Sequence, residues 1–290
     1  TVKKLNYQPN AIARSLKQHK TNTIGVVIPD ISNPYFMTIA KALEDQVQEQ
    51  GYNLIFCSAD ENPKKEKELL LLLSEKRVDA IVLATSGENE KTIEQISKSG
   101  IPIILLDRKL DTTHLKLDYI VEDNTQGAYE LTKHLIEQGH TRIGVVNGSL
   151  KVSTGYERFQ GYKKAIAEFG IEEDMKLIFN GNFAQEDGRK AVDYFLNFQS
   201  PPTAMISFNN TMTFGVLLEL RKREIKIPDE IAVASYGEVD AAQLLKNSQI
   251  AYVNQFPFEI GTKLGDIVLS RLRGSKEFLQ ETILPKISIV

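Results

Sequence analysis

The stretch TIGVVIPDISNPYFMTIAKALEDQVQEQGYNLIFCSAD, residues 23–60, decides the fold. It opens on a short β-branched apolar run, TIGVVIPD, that ends in Pro-Asp. The following PYFMTIAKALEDQVQEQG sets Phe36, Ile39, Ala40, Leu43 and Val47 at helical spacing and stops at Gly51. YNLIFCSAD then reads as a second buried strand, with Cys57 a small core or near-core residue. Continuously apolar strands alternating with helices form a parallel sheet covered on both faces.

Outward from this unit the rhythm persists. PKKEKELLLLLSEKR is a helix whose charged first turn, KKEKE, reads as a solvated face. VDAIVLAT is a strand, ENEKTIEQISKSG a helix and IPIILLDR a strand. After residue 123 the series restarts: helix NTQGAYELTKHLIEQGH, strand RIGVVNG, helix ERFQGYKKAIAEFG, strand MKLIFNG. Helix AQEDGRKAVDYFLNF, strand TAMISFNN, helix TMTFGVLLELRKREI and strand IAVASYG follow. SQIAYVNQFPFEIGTKLGDIVLSRLRG reads as a strand and a helix crossing back to the first lobe, with ETILPKISIV returning to the second. The expectation is α/β, with two similar doubly wound parallel-sheet lobes. Residues 21–122 with about 256–278 form one, and 123–255 with about 279–290 the other, after an N-terminal segment 1–20. Open α/β sheets bind ligands beyond the carboxyl ends of their strands. Those ends are the loops starting at Pro29, Ser58, Thr85 and Asp107, and at Gly148, Gly181, Asn209 and Gly237. Two such edges facing each other would make an interlobe cleft.

The charge is uneven. Residues 1–20 carry Lys3, Lys4, Arg14, Lys17 and Lys20 and no acid, whereas the whole chain holds 35 basic and 38 acidic side chains. A basic arm on an acidic body points to nucleic acid or another anionic surface. A single cysteine excludes a disulfide framework and a Cys-rich metal site and suits a reducing, cytoplasmic setting. There is no apolar run long enough to span a membrane and no secretion signal at the start. Thr1 is an unusual natural start, which suggests a longer protein.

Signatures of catalysis are missing. GVVIPDISNP has one glycine where a dinucleotide fingerprint needs three, and no Walker, GxSxG or HExxH motif occurs. His19, His114, His134 and His140 lack ligand spacing, and His140 reads as serving a helix-to-strand loop. The expectation is a binding protein, not an enzyme, with no cofactor and no metal.

Five stretches in order resemble the lactose-repressor/galactose-repressor family of bacterial transcription regulators. They are LNYQPNAIARSLKQHKTNTIGVVIPDISNPYF, VEDNTQGAYELTKHLIEQGHTRIGVVNG, ERFQGY, PTAMISFNN and IPDEIAVASYG. The resemblance runs through essentially the whole chain. It implies a core with the fold of periplasmic sugar-binding proteins and most of a helix-turn-helix headpiece missing before Tyr7. Residues 10–17 would be a hinge helix ordered on operator DNA, with Asn10, Ala13, Arg14, Leu16 and Lys17 the contact positions. About eight residues are too few for a stable isolated helix, so ordering on a partner is physically reasonable. Leu16 matches the family's wedge between base steps, and Arg14 and Lys17 suit phosphate or groove contacts.

For the effector, the resemblance implies Arg158 as the side chain that grips ligand hydroxyls or a carboxylate. Phe183 matches a closing aromatic, Tyr35 and Phe36 could form another wall, and Asp107-Arg108 aligns with a pocket pair. Asn209 and Thr154 could reach in. Two departures stand out: Asn209-Asn210 where the family usually has Asn-Asp, and Gly237 where many members have a sugar-gripping aspartate. A site short of acids that keeps cations suits an anion such as a sugar acid or sugar phosphate, unless Glu238 turns inward. The implied partners are operator DNA, a small sugar-type effector and a second copy of the chain, with no membrane. The helices from Pro34 to Gln50 and Glu66 to Lys76, including Leu69 to Leu73, are the expected dimer surface. The competing readings are a periplasmic-type sugar receptor and a catabolite-control type regulator whose co-regulator is a phosphorylated carrier protein.

Overall fold

The computed structural model describes residues 20–110, 112, 115–245 and 249–290. Its elements run β1 (Thr23–Ile28), α1 (Pro34–Gln48), β2 (Asn53–Ser58), α2 (Pro63–Glu75), β3 (Ala80–Leu83), α3 (Glu90–Lys98), β4 (Ile103–Leu106) and β5 (Asp118–Glu122). The second series is α4 (Asn124–Glu137), β6 (Ile143–Asn147), α5 (Ser153–Glu168), β7 (Ile178–Asn180), α6 (Gln185–Leu196), β8 (Ala204–Ser207), α7 (Asn210–Lys222), β9 (Ala232–Tyr236) and β10 (Ala251–Asn254). α8 (Pro257–Leu272), β11 (Gln280–Ile283) and β12 (Lys286–Ile289) complete it.

Two six-stranded sheets result, ordered β2-β1-β3-β4-β5-β11 and β7-β6-β8-β9-β10-β12. In each, the first strand of the series lies between the second and the third, so the winding direction reverses beside it. That reversal opens a crevice at the carboxyl ends, where doubly wound sheets take ligands. The pairings β1–β2, β1–β3, β6–β7, β6–β8, β8–β9 and β9–β10 are parallel, and β12 runs antiparallel along β10. The chain divides into a first unit running to Leu106 with Thr112–Tyr119 and Phe258–Gln280, and a second of Asp107–Asp111, Ile120–Pro257 and Glu281–Val290. The boundary falls inside β5 and β11.

The second unit shows why its strands are apolar throughout. Val145, Ile206, Ala234 and Tyr236 face a core shared with Leu131 of α4 and Tyr162 of α5. Their neighbours Val146, Met205 and Val233 face the opposite core, with Phe195 of α6 and Val216 of α7. Successive residues point to opposite faces, and both faces are covered, so no position is left for a polar alternate. Helix starts follow local chemistry. The Asn33 and Asn62 side chains accept the N–H of Tyr35 at 3.0 Å and of Lys64 at 2.9 Å. Pro34 and Pro63 then occupy first helical positions that need no donor. Among the described residues no helix is long and apolar enough to cross a membrane.

Several expectations need correction. β2 is an edge strand, not a buried one: Ile55 is 37% exposed and Cys57 is half-buried, its thiol pushed up by that burial. In MKLIFNG, Met175–Leu177 is a 3-10 turn and only Ile178–Asn180 extend as β7. β5 was not anticipated at all. The KKEKE segment is not a wholly solvated face. Glu66 is fully buried, accepting the Ser86 N–H at 2.5 Å, the Asn89 side-chain amide at 2.9 Å and the Thr85 hydroxyl at 3.3 Å. It ties α2 to the loop beyond the carboxyl end of β3. Glu66→Ala would orphan the Ser86 and Asn89 donors, and urea unfolding of the first unit should show a loss of about 2 kcal/mol. Of the leucine run, Leu70 and Leu73 point inward, while Leu71 and Leu72 are each 43% exposed. His140 does serve its loop, sharing a hydrogen bond with the Thr203 hydroxyl at 3.0 Å.

Candidate functional site

The carboxyl edge of the second unit's sheet gathers the polar groups, and Arg158 is at their centre. α5 carries it into the interior, where it is 4% exposed. Nε donates to Asn124 Oδ1 at 2.8 Å and Nη1 to the Phe208 carbonyl at 2.8 Å. The guanidinium carbon lies 3.8 Å from the centre of the Tyr236 ring. One side chain therefore bridges the start of α4, the end of β8 and the end of β9, with a cation over an aromatic face. Asn124 is itself held by Glu157, to which its amide donates at 3.0 Å.

Nη2 of Arg158 stands 4.0 Å from Glu122 Oε2, and that oxygen accepts the Gln255 amide at 2.7 Å. Glu122 is 1% exposed. Burial pushes its carboxyl up to about 8, with Asp107 adding and Arg158 and Gln255 opposing. That burial favours the neutral carboxyl beside the Arg158 guanidinium. Burial likewise lifts the Tyr236 phenol well above its ordinary value. Glu122 Oε1, the Tyr236 hydroxyl and Asn147 Oδ1 are buried and make no hydrogen bond among the described residues. Glu122, Gln255 and Asn147 escaped the sequence reading. The signal for Glu122 was the strand DYIVE ending just before Asp123-Asn124, because its last residue is a strand end like the others.

A second cluster lies in the same unit. Asp107, with φ at 65°, and Arg108 follow β4, and their charged groups are 3.7 Å apart. The next residue, Lys109, donates its N–H to the Ser153 hydroxyl at 2.9 Å, which fixes this loop against the start of α5. Thr154, at the second position of α5, is 1% exposed. The Arg108 guanidinium sits 5.1 Å above the Phe183 ring. Phe183, itself at φ 65°, covers Gly148 so closely that a Cβ there would lie 1.9 Å from its ring. Glycine at the end of β6 is thus what lets the aromatic lie flat.

Asn209 caps α7, accepting the Met212 N–H at 2.9 Å. Its side-chain oxygen is thereby engaged by the helix start. Gly237 has φ at 97°, and a Cβ there would meet Gln255 Oε1 at 2.5 Å and Asn210 Cβ at 3.3 Å. An aspartate does not fit beside Gln255 as it stands. Glu238 is exposed and does not turn inward. The acid in this neighbourhood is Glu122, reached through Gln255. Tyr35 and Phe36 belong to the first unit, where they sit in the first turn of α1, buried to 8% and 6% exposure and packed edge to face at 5.1 Å. Asn10, Ala13, Arg14, Leu16 and Lys17 lie outside the described residues.

Over residues 21–285 the chain matches the family described as periplasmic binding proteins and sugar binding domain of LacI family. The HTH-type transcriptional repressor PurR of Aliivibrio salmonicida is 32% identical over 273 residues, which is 94% of this chain and 81% of that protein. Among solved structures, the transcription regulator CcpA of Lactococcus lactis is similar with a TM-score of 0.81 and 27% identity, over 92% of this chain and 97% of that one. A LacI family transcriptional regulator from Enterococcus faecium with bound ribose gives a TM-score of 0.81 at 26% identity, over 92% and 96% of the two chains. These relatives are transcription regulators, not enzymes. A buried arginine at the carboxyl edge of a doubly wound sheet and a match over nearly the full length agree: the chain belongs to the LacI family of transcription regulators and carries its periplasmic-binding-protein-like effector domain.

Proposed function

We propose that this protein is a ligand-responsive transcriptional repressor whose effector is a small sugar-like molecule held at the carboxyl edge of the second unit's sheet. The observation that carries this reading is the buried set of Arg158, Glu122, Tyr236 and Asn147. The unbonded oxygens of Glu122, Tyr236 and Asn147 can accept from, or donate to, the hydroxyls of a polyhydroxylated ligand. The relative solved with ribose supports the ligand class. Arg108, held over the Phe183 ring, adds a second buried cation in the same unit.

The finer proposal is an anionic sugar derivative, a sugar acid or sugar phosphate. With Glu122 protonated, the Arg158 guanidinium is offset only by neutral partners, which favours a ligand carboxylate or phosphate. The test is calorimetric titration with ribose, gluconate and ribose 5-phosphate at pH 7 and pH 9. Gluconate should bind at pH 7 and weaken about tenfold by pH 9, as Glu122 ionises and competes for Arg158. A neutral sugar that donates to Glu122 should instead strengthen over the same interval. Binding of neutral sugar alone removes the anionic proposal, and binding of none of the three removes the sugar-effector reading.

The DNA contact belongs to Asn10, Ala13, Arg14, Leu16 and Lys17, acting on an operator in a homodimer. The exposed Leu71 and Leu72 of α2, Met37 of α1 and Ile55 of β2 favour a subunit contact on the first unit. A ligand that binds one arrangement of the protein better than another shifts its population, and about 1–3 kcal/mol of coupling gives a useful switch.

A further inference from the structure

Residues 20–23 join the basic arm to β1, and one carboxylate holds their backbone. Asp79, in the turn before β3, accepts the Thr21 N–H through Oδ1 at 3.1 Å and the Thr23 N–H through Oδ2 at 3.2 Å. Its own N–H donates back to the Thr23 carbonyl at 2.8 Å. The Thr21 hydroxyl donates to the Arg77 carbonyl at 3.1 Å, the Thr23 hydroxyl to the Thr21 carbonyl at 3.1 Å, and the Asn53 N–H to the Asn22 carbonyl at 2.9 Å. Between the two gripped amides, Asn22 takes a left-handed φ of 51°, which a short polar side chain tolerates.

β1 does not need this grip. Thr23 already pairs with Asn53 and Ile24 with Ala80, so the strand is fixed by its neighbours on both sides. The carboxylate extends order two residues beyond the strand, in the direction of the arm. A charged acceptor serving two backbone donors is among the stronger hydrogen-bonding arrangements available to a surface loop.

We propose that Asp79 is a positioning residue for DNA binding. By gripping the backbone at Thr21 and Thr23 it fixes the residues through which the arm is joined to the first unit. A movement of that unit is then delivered to the arm instead of being absorbed by slack chain. The proposal rests on the reading that the arm contacts DNA.

The test uses the full-length protein and a duplex that the wild type selects from a randomised pool. Asp79→Ala removes both acceptors, Asp79→Asn leaves one amide oxygen, and Thr21→Val removes only the hydroxyl bridge to Arg77. Affinity for the selected duplex should fall tenfold or more for Asp79→Ala, less for Asp79→Asn and about threefold for Thr21→Val. Affinity for a random duplex should stay within twofold, because no basic residue is lost. Hydrogen exchange should quicken at Thr21 and Thr23 and be unchanged over the rest of β1, from Ile24 to Ile28. Wild-type duplex affinity in Asp79→Asn and Thr21→Val, with their exchange quickened, overturns the proposal. So does a loss that merely tracks a lowered unfolding midpoint of the first unit. Should Asp79→Ala fail to fold, the other two variants decide. A wild type that selects no duplex removes the DNA-binding reading, and the clamp with it.

Discussion

Arg158→Ala should destabilise the second unit by about 3–5 kcal/mol and abolish effector binding. The guanidinium is the shared partner of Asn124 at the head of α4, the Phe208 carbonyl beyond β8 and the Tyr236 ring at the end of β9. Truncation strands two buried acceptors, each costing about 1–3 kcal/mol, and opens a cavity under the ring. Arg158→Lys should recover part of the stability and little of the binding. An ammonium cannot reach Asn124 and Phe208 at once, and it loses the planar contact with Tyr236. Urea unfolding with a second-unit probe, alongside calorimetric titration, separates the two effects. A lysine variant that binds ligand as the wild type does would remove Arg158 from the effector site while leaving its structural role intact.

Glu122→Gln should make the protein more stable in alkali than the wild type. Burial raises the Glu122 carboxyl from 4.5 to about 8 in the folded chain, so folding favours the protonated form. The associated stability is complete below about pH 4.5 and is lost as pH rises through about 8, because the folded state must then hold a buried carboxylate. Gln keeps an oxygen for the Gln255 amide and cannot ionise. The two proteins should unfold at similar denaturant concentrations near pH 4, and at pH 9 the variant should lead by about 2–3 kcal/mol. The variant should also bind gluconate equally at pH 7 and pH 9. Parallel pH profiles for the two proteins would mean that Glu122 is ionised throughout and that Arg158 is already paired.

What was legible in the sequence follows from where the physical signal is local. β1, β3, β6, β8 and β9 are covered on both faces, so they are apolar without interruption and declare themselves. β5, as DYIVE, carries an acid at each end and is short, so its strand character is masked. Missing it hid Glu122, which would otherwise have counted as one more strand-end residue. Glu66 was misread because its neighbours Lys64, Lys65, Lys67 and Glu68 describe a solvated face. The groups that bury and satisfy it, Thr85, Ser86 and Asn89, lie about twenty residues on. Arg158 stands out in the sequence as a lone arginine in ERFQGY, but nothing local says that two of its nitrogens are spent inside the protein. Gly237 gives the converse case: the missing aspartate was visible, whereas the Gln255 side chain that fills its space is seen only in three dimensions.

If Arg158 holds the effector as proposed, a small ligand there changes how firmly this protein holds DNA. Fluorescence anisotropy with the selected duplex, repeated with saturating ligand from the calorimetric panel, tests it most directly. A shift in duplex affinity of at least tenfold is expected, absent in Arg158→Lys. Ligand that binds to saturation while duplex affinity stays the same, or an equal shift in the lysine variant, would contradict it.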